Sequence, residues 1–557
     1  MKRSSIYILT GLLTLCSVTS CKKDFLERPP LNQLSENTFW KNENDVYQTV
    51  MGVYAKLPAE ADAFGILYND GMSDNAHAQY PWESIATDAS SGVITSTVDA
   101  TTAGWDFTGI RRANYFLDNA DKVTAIDKAL LDRYKAEVRF IRALNYFNLL
   151  SRFGAVPLLT HVVAIGDENV AQTSKADLLK FVLDELDAVS KILPQSYGGG
   201  KPNEKGRITK GAALALKARA YLYDGQWQQA ADAASQVMGL GYSLFKVTAE
   251  TDVQAKDDYS QWVNFADKTD ESKFRLGLRS YESLFYQANN GNSEVILDRQ
   301  YIKQVDANTI NTLLPPGTIG GWSSIAPTQA LVDSYASYQT GDAVSPTDPA
   351  QRAAWYTAKD PAFANEYKNR DPRFYASILF ENAPWNAMQD GYKFTWVQGA
   401  SNMSQTGYNF RKLVDPKIFR DQVDSYSNVI LIRYAEVLLT YAEAKNESSG
   451  PDGSIYDALD AIRTRAGMPV VNRAKYADQS SLRELIRNER RVELALEGQR
   501  YMDIRRWKTA PQVMITINNI KNTQAQQRTW SDKLYLMPVP QTQIDLSKGV
   551  LKQNPGY

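Results

Sequence analysis

The stretch Ala218-Arg-Ala-Tyr-Leu-Tyr-Asp-Gly-Gln-Trp-Gln-Gln-Ala-Ala-Asp-Ala233 decides the fold. From Ala212 to Tyr223 the chain is rich in alanine, the strongest helix former and one whose small side chain lets two helices approach closely. Gly225 interrupts the run. Trp227, Ala230, Ala231, Ala234, Val237 and Met238 then recur at the spacing of one helix face. The reading is two antiparallel helices touching through Ala, Tyr and Gly, with their turn at Gly225.

The same pattern extends outward in both directions. Ala136, Phe140, Ala143, Phe147 and Leu150 line one face of an upstream helix, and Val138, Ile141 and Leu144 give it a second apolar face. That helix is expected to be buried on two sides and to stop at Gly154 and Pro157. Ser174 to Leu193 reads as amphipathic through Leu178, Leu179, Val182, Leu186 and Val189, and Gly198-Gly199-Gly200 follows as a loop. Downstream, Tyr434, Leu438, Tyr441 and Ala442 line one helix, Gly450 to Gly453 turn the chain, and Tyr456, Leu459 and Ile462 line the return, which ends at Gly467. Ser481 and Glu484 suggest a capping box for a long helix from Leu482 to about Arg500. Between about 242 and 430 the character changes: Gly, Pro, Asn and Ser punctuate the chain, and a periodic helix shows only around Thr328 to Tyr338. So long an excursion is no linker; it is expected to be a loop-rich subdomain docked on the helices, where function often resides.

The first residues form an address. Lys2 and Arg3 precede an apolar run from Ile6 to Val18, a signal peptide over residues 1–20. Thr19 and Ser20 then lead to Cys21 in the manner of a lipobox, with cleavage before a cysteine that carries lipid. Val18 and Ser20 depart from the usual Leu and Gly or Ala. Residues 21–37 read as a polar tether, kept non-helical by Pro29 and Pro30. Nothing later is apolar for the roughly 20 residues a membrane span needs.

Composition narrows the function classes. With 62 Lys and Arg against 63 Asp and Glu, net charge is -1, which gives no support to nucleic-acid binding. The two cysteines, Cys16 and Cys21, both lie in the leader, so the folded part has no disulfide and no thiolate metal site. The two histidines, His77 and His161, belong to no HExxH or paired motif. No metal, no cofactor and no catalytic residue is assigned. Asp70 and Asp74 without an EF-type loop are weak evidence for calcium.

Several motifs, in order, carry a resemblance. The Ala218–Ala233 stretch resembles the heart of a TPR hairpin. Ala136 to Phe147 is followed by Arg-Phe-Gly-Ala-Val-Pro-Leu-Leu at 152–159 and by Gly-Arg-Ile-Thr-Lys-Gly-Ala-Ala at 206–213. Pro-Thr-Gln-Ala-Leu-Val-Asp-Ser-Tyr occupies 327–335, Asp-Pro-Arg 371–373, and the block from Arg433 to Ala444 precedes that from Ile486 to Trp507. The chain closes with Pro-Val-Pro at 538–540 and Gln-Asn-Pro-Gly-Tyr at 553–557. Together these resemble the SusD/RagB family of nutrient-binding outer-membrane lipoproteins. The resemblance implies an all-α fold: a TPR-like scaffold of four helix pairs, mainly about 38–240 and 430–510, with the 242–430 segment packed on it as one domain over 38–557. It also implies a lipid-anchored, surface-exposed protein that is not an enzyme. Such a protein binds oligosaccharide or polysaccharide, or peptide in the RagB branch, beside a SusC-like TonB-dependent transporter. A secreted glycoside hydrolase and a TPR adaptor gripping a protein tail are the competing classes.

Position sorts the candidate residues. The charged string Arg487, Glu489, Arg490, Arg491, Glu493, Glu497, Arg500 could offer paired carboxylates for glycoside hydrolysis, but is read as a buried Arg–Glu network reaching Asp503 and Arg505. Trp40, Trp105, Trp227 and Trp507 sit in or beside helical motifs and are assigned to the core. Trp82 lies in the stretch Asn69 to Thr102, which reads as a loop with little helical periodicity. Trp322 follows Gly320-Gly321 in a Pro-rich stretch. Both are expected to be stacking platforms for sugar, since a ring offers a flat apolar face to C–H groups. Tyr80 and Tyr301 stand behind them, with Asn69, Asp70, Asp74 and Arg299 as hydrogen-bond partners and His77 as a further contact.

Overall fold

The structure, a computed structural model, describes residues 39–197, 204–421 and 424–557. The signal peptide, Cys21, the tether and the Gly198–Gly200 loop lie outside these residues. The principal helices are α1 (Glu43–Tyr54), α2 (Thr108–Asn119), α3 (Lys128–Phe153), α4 (Lys175–Ser190), α5 (Lys210–Tyr223), α6 (Trp227–Met238), α7 (Lys268–Ser283), α8 (Tyr434–Ser449), α9 (Gly453–Arg465), α10 (Gln479–Glu493) and α11 (Arg500–Arg506). The strands that matter to the site are β1 (Ala76–Ala78), β2 (Val295–Arg299), β3 (Ile325–Pro327) and β4 (Val429–Arg433).

Four helix pairs pack in succession: α1 with α2, α3 with α4, α5 with α6, and α8 with α9. Neighbouring pairs join through α1–α3, α4–α5 and α6–α8 contacts. This is the TPR-like scaffold of four helix pairs that the family resemblance implied. The local causes are those of the sequence reading. Asp127 caps α3 by accepting from the Leu130 N–H, and Gly154 ends it at φ 76°. Gly225 turns the chain at φ 74°. At Gly211 a Cβ would stand 2.3 Å from the Tyr242 hydroxyl, so only glycine allows that approach.

Two expectations need correction. The long helix from Leu482 to Arg500 is two helices. Asp478, not Ser481, caps α10, accepting from the Ser480 and Ser481 N–H groups. α10 stops at Glu493, Leu496 takes φ 61°, Gly498 takes φ 75°, and α11 starts afresh at Arg500. A Cβ on Gly498 would lie 2.9 Å from Ile66 Cα. Secondly, the 242–430 stretch contains α7, sixteen residues long. Its inward face mixes Phe274, Leu278 and Tyr281 with buried Arg279, Ser280 and Glu282, which hides the apolar stripe from a periodicity reading.

β2 pairs antiparallel with β4, so the segment between the helical blocks is laced to the strand that enters α8. A buried ion network completes the join. Arg433, at the end of β4, donates to Glu294 and Glu493 at 2.7 Å and to Glu497 at 2.6 and 2.7 Å. Arg465 of α9 meets Glu294 at 2.9 Å and also Glu493. Arg373 and Lys412 enter from the 242–430 segment. Arg373 reaches Asp371 and Glu489 at 2.7 Å and Glu493 at 2.8 Å; Lys412 reaches Glu497 at 2.6 Å. Arg463 meets Glu489 at 3.1 Å. Five cations face five carboxylates, and all are buried. Glu489, Glu493 and Glu497 of the charged string thus belong to a buried network, as expected, and Arg490 reaches Asp503 at 2.8 Å; Arg505, expected in the same network, pairs with no carboxylate among the described residues and donates to the Tyr535 carbonyl instead.

Burial pushes the Glu493 carboxyl up, but Arg465, Arg433 and Arg373 outweigh that and hold it well below the usual carboxylate range. Replacing it as Glu493→Gln leaves three guanidiniums short of one negative charge, and urea unfolding should show a loss of about 3–5 kcal/mol at pH 7. A depressed folded pKa gives stability that is fully present above the ordinary value of 4.5 and is lost as pH falls through the folded one. The gap between the two proteins should therefore shrink below that pH; equal stability at pH 7 would refute the assignment.

Candidate functional site

Strand pairing brings the two predicted tryptophans together. β1 runs antiparallel to β3, with Ala76 opposite Pro327, His77 opposite Ala326 and Ala78 opposite Ile325. The chain leaving β1 and the chain entering β3 therefore emerge side by side, and Gln79 N–H donates to the Ser324 carbonyl at 3.0 Å. Tyr80 stacks on Trp82 at 4.3 Å between centroids, 14° from parallel. Trp322 meets Trp82 edge to face at 6.5 Å and 77°. Trp82 is 63% exposed and Trp322 42%, so this three-ring ledge faces solvent rather than the core.

The ledge is held from beneath. The Tyr80 hydroxyl lies 3.1 Å from the Trp322 carbonyl and 3.0 Å from Asn402 Oδ1. Gln79 Nε2 donates to the Trp322 and Met403 carbonyls at 3.3 Å. The turn before Trp322 needs its glycine: a Cβ on Gly321 would stand 2.0 Å from the Pro315 carbonyl oxygen. Ser323, at φ 50°, donates its hydroxyl to the Asn402 carbonyl at 2.7 Å. Glu83 lies buried under the turn that carries Trp82, where its Oε2 accepts from the Tyr80 N–H at 3.3 Å.

Beside the ledge a cleft of about 460 Å³ opens, sharing Tyr80 with it. Amides dominate its walls: Gln79, Gln398, Asn402, Gln405, Asn519 and Gln524, with Trp396 among them. Among the described residues no lysine, arginine, aspartate, glutamate or histidine lines it. Neutral amides both donate and accept, so the cleft can answer hydroxyl groups of either polarity. Sequence reasoning missed this wall. Its one available signal was the run Gln398 to Gln405, rich in Gly, Ser, Asn and Gln, the composition of an exposed polar loop.

The other candidates fall into the framework rather than the ledge. Tyr301 is buried and donates to Glu60 at 2.7 Å. Arg299 donates to the Leu57 carbonyl at 2.9 Å and pairs loosely with Asp306 at 3.8 Å. Asn69 accepts from Arg152 at 2.9 Å and donates to the Phe64 carbonyl. Asp74 binds Arg500 at 2.7 Å and Arg491 at 2.8 Å; burial pushes its carboxyl up, but these guanidiniums hold it at about 2. Asp70 accepts from the Gly498 N–H at 2.6 Å and from Asn75, and burial pushes it up to about 6. His77 is buried next to the cleft, its Nε2 3.0 Å from Gln405 Oε1, and burial pushes it down to about 4. Each of these groups finds polar partners within the protein itself. Among the described residues no cluster of three His, Cys, Asp or Glu gathers to hold a metal ion, and no helix is long and apolar enough to cross a membrane.

Residues 281–557 match the model described as the SusD family, and residues 24–222 match the model for starch-binding proteins associating with the outer membrane. A solved SusD-like protein from Bacteroides fragilis is 29% identical, superposes with a TM-score of 0.77, and is covered over 95% of this chain and 100% of its own. A SusD-like carbohydrate-binding protein from the same organism is 26% identical with a TM-score of 0.74, covering 92% and 99%. SusD-like protein P25 of Formosa agariphila is 24% identical over 91% of this chain and 90% of its own.

Burial pushes the Glu83 carboxyl up to about 7. A raised folded pKa gives stability that is present below the ordinary value of 4.5 and lost as pH rises through about 7. Glu83→Gln should remove that loss. Between pH 5 and pH 8 the wild type should fall relative to the variant by about 1–3 kcal/mol in denaturant titrations; parallel pH profiles would contradict this.

Proposed function

Because this chain belongs to the SusD family, we propose that it is a cell-surface lipoprotein that captures neutral oligosaccharide or polysaccharide on the Tyr80–Trp82–Trp322 ledge. It hands that glycan to a SusC-like TonB-dependent transporter of the outer membrane. The exposed ledge carries the reading. Two indoles and a phenol, already stacked and hydrogen-bonded in place, offer flat faces for the C–H surfaces of sugar rings and lose little freedom on binding. The adjoining amides of Asn402, Gln405 and Gln524 supply partners for hydroxyls at about 1 kcal/mol net each.

The absence of any charged side chain from the cleft wall favours an uncharged ligand. A peptide with free termini would bring charges with nothing there to answer them, which sets the RagB-like alternative second. The protein binds and does not hydrolyse: the carboxylates of α10 that could have served as a catalytic pair are neutralised by Arg433, Arg465, Arg373 and Arg463. The family's outer-membrane association and the carbohydrate-binding relative support the location and the ligand class. Residues 38–557 act as one domain, and lipid on Cys21 ties it to the membrane.

Calorimetry with a panel of neutral oligosaccharides tests the ledge. Trp82→Ala and Trp322→Ala should each weaken binding tenfold or more, the scale of a well-packed aromatic contact, while Tyr301→Phe leaves affinity unchanged. Undiminished binding in both tryptophan variants would remove the ledge as the site. Cys21→Ser should move the protein from the membrane fraction to the soluble one; retention by the membrane would discount the lipid anchor.

A further inference from the structure

A second cavity, of about 390 Å³, opens on the helical scaffold between α3, α4, α5 and α11, and it shares no lining residue with the amide cleft. Much of its wall is apolar, from Phe147, Leu150, Leu179, Met502 and Leu536. Set in that wall is Arg505, only 6% exposed. Its guanidinium has no carboxylate partner among the described residues. One terminal nitrogen donates to the Tyr535 carbonyl, the other reaches the Met502 sulfur at 3.2 Å, Nε has no hydrogen-bond partner, and the guanidinium carbon lies 4.8 Å from the centre of the Tyr501 ring. The buried Arg433, Arg465 and Arg373 are answered by carboxylates, and the buried Arg152, Arg370 and Arg528, which have none among the described residues, each donate to two or three protein oxygens. Arg505 donates to one, so a buried guanidinium on a cavity wall keeps donors free for a counter-ion.

Two further observations point to the same chemistry. Ser151 Oγ, on the same wall, is buried and unpartnered. Lys508 closes the cavity with its ammonium 3.6 Å from the centre of the Tyr535 ring, and it forms no ion pair among the described residues. It occupies the left-handed position after α11 at φ 60°, with Lys508 N–H on the Arg505 carbonyl and Thr509 N–H on that of Ile504. Glycine is the usual occupant of that position; here a cation stands there instead. The other charges of the wall are already matched, Lys175 by Asp224 and Arg506 by Glu443 and Asp503. The excess is therefore Arg505 and Lys508.

We propose that this cavity binds an organic carboxylate bearing a short apolar chain. The carboxylate sits between Arg505 and Lys508, and the chain lies against Phe147, Leu179 and Leu536. A charge-assisted pair in a partly dry wall fixes the head group, and the apolar wall selects the tail. The proposal is independent of the ledge reading, since the two sites have no residue in common.

Calorimetry on the whole protein with hexanoate, hexanamide and inorganic phosphate tests it. Hexanoate should bind saturably, at least tenfold tighter than either of the other two. Arg505→Gln should abolish hexanoate binding. Lys508→Glu, at an exposed side chain whose loss leaves the fold intact, should weaken it at least tenfold with an unchanged circular dichroism spectrum. Both variants should keep wild-type affinity for the ligand of the aromatic ledge. Equal binding of hexanoate and hexanamide, phosphate matching hexanoate, or full hexanoate affinity in Lys508→Glu would each overturn the proposal.

Discussion

Buried charge has to be neutralised where it lies, and that constraint organises this molecule. Arg433, Arg465, Arg463, Arg373 and Lys412 share Glu294, Glu489, Glu493, Glu497 and Asp371 in one enclosed network. Its members come from α9, α10, the turn between α10 and α11, β4 and the segment between the helical blocks. Removing water from ten charges costs several kcal/mol per ion before pairing offsets it. The arrangement is therefore tolerable only when every element is in place. A second enclosed set, Arg279 and Arg411 with Asp257, Glu282 and Glu250, repeats the device within the 242–430 segment. Loops without long apolar faces are thus fixed by electrostatic bookkeeping that admits one solution.

The ledge inherits its rigidity from this framework. Asp74 stands two residues before β1, and its pairs with Arg491 of α10 and Arg500 of α11 fasten that strand to the scaffold. Arg528 adds bonds to the Ser73 and Ala76 carbonyls. β1 then places β3, and the two loops beyond them carry Trp82 and Trp322 to one spot. Rings positioned before a ligand arrives have little entropy left to lose, which favours even a small contact area. The path from buried carboxylate to exposed indole is short enough to name residue by residue.

The helices were legible because their cause is local. Alanine density, apolar spacing and glycine stops announce α3, α5, α6, α8 and α9, and Glu489, Arg490 and Glu493 of α10 lie buried where their spacing on the helix puts them. α7 was not legible, since Arg279 and Glu282 lie on its inward face and break the stripe. The α10–α11 break had one signal, Gly498 at φ 75°, but the charged and apolar spacing runs on through it, and Leu496 takes its left-handed conformation against its residue preference. Trp322 stood out in a Gly- and Pro-rich loop, and Trp82 with Tyr80 in the Asn69–Thr102 stretch read as a loop; that stretch in fact contains a helix over Ser84–Ser91, just after Trp82, and the structure gathers the three rings. Asn69, Asp74, Arg299 and Tyr301 looked equally available in sequence, yet each answers a partner far along the chain, such as Arg152 for Asn69 and Glu60 for Tyr301. Whether a polar side chain is spent internally depends on such distant pairings, which sequence spacing does not encode. The amide wall of the cleft was invisible for the same reason: it is assembled from residues near 79, 400 and 520.

The central claim is that sugar sits on the three-ring ledge with its hydroxyls toward the amide cleft. A crystal structure of the protein with a bound neutral oligosaccharide tests this most directly. The account predicts a pyranose face against Trp82 or Trp322 and hydroxyls within hydrogen-bond distance of Asn402 or its neighbouring amides. Electron density for the sugar on the helical scaffold, with the ledge bare, would contradict it.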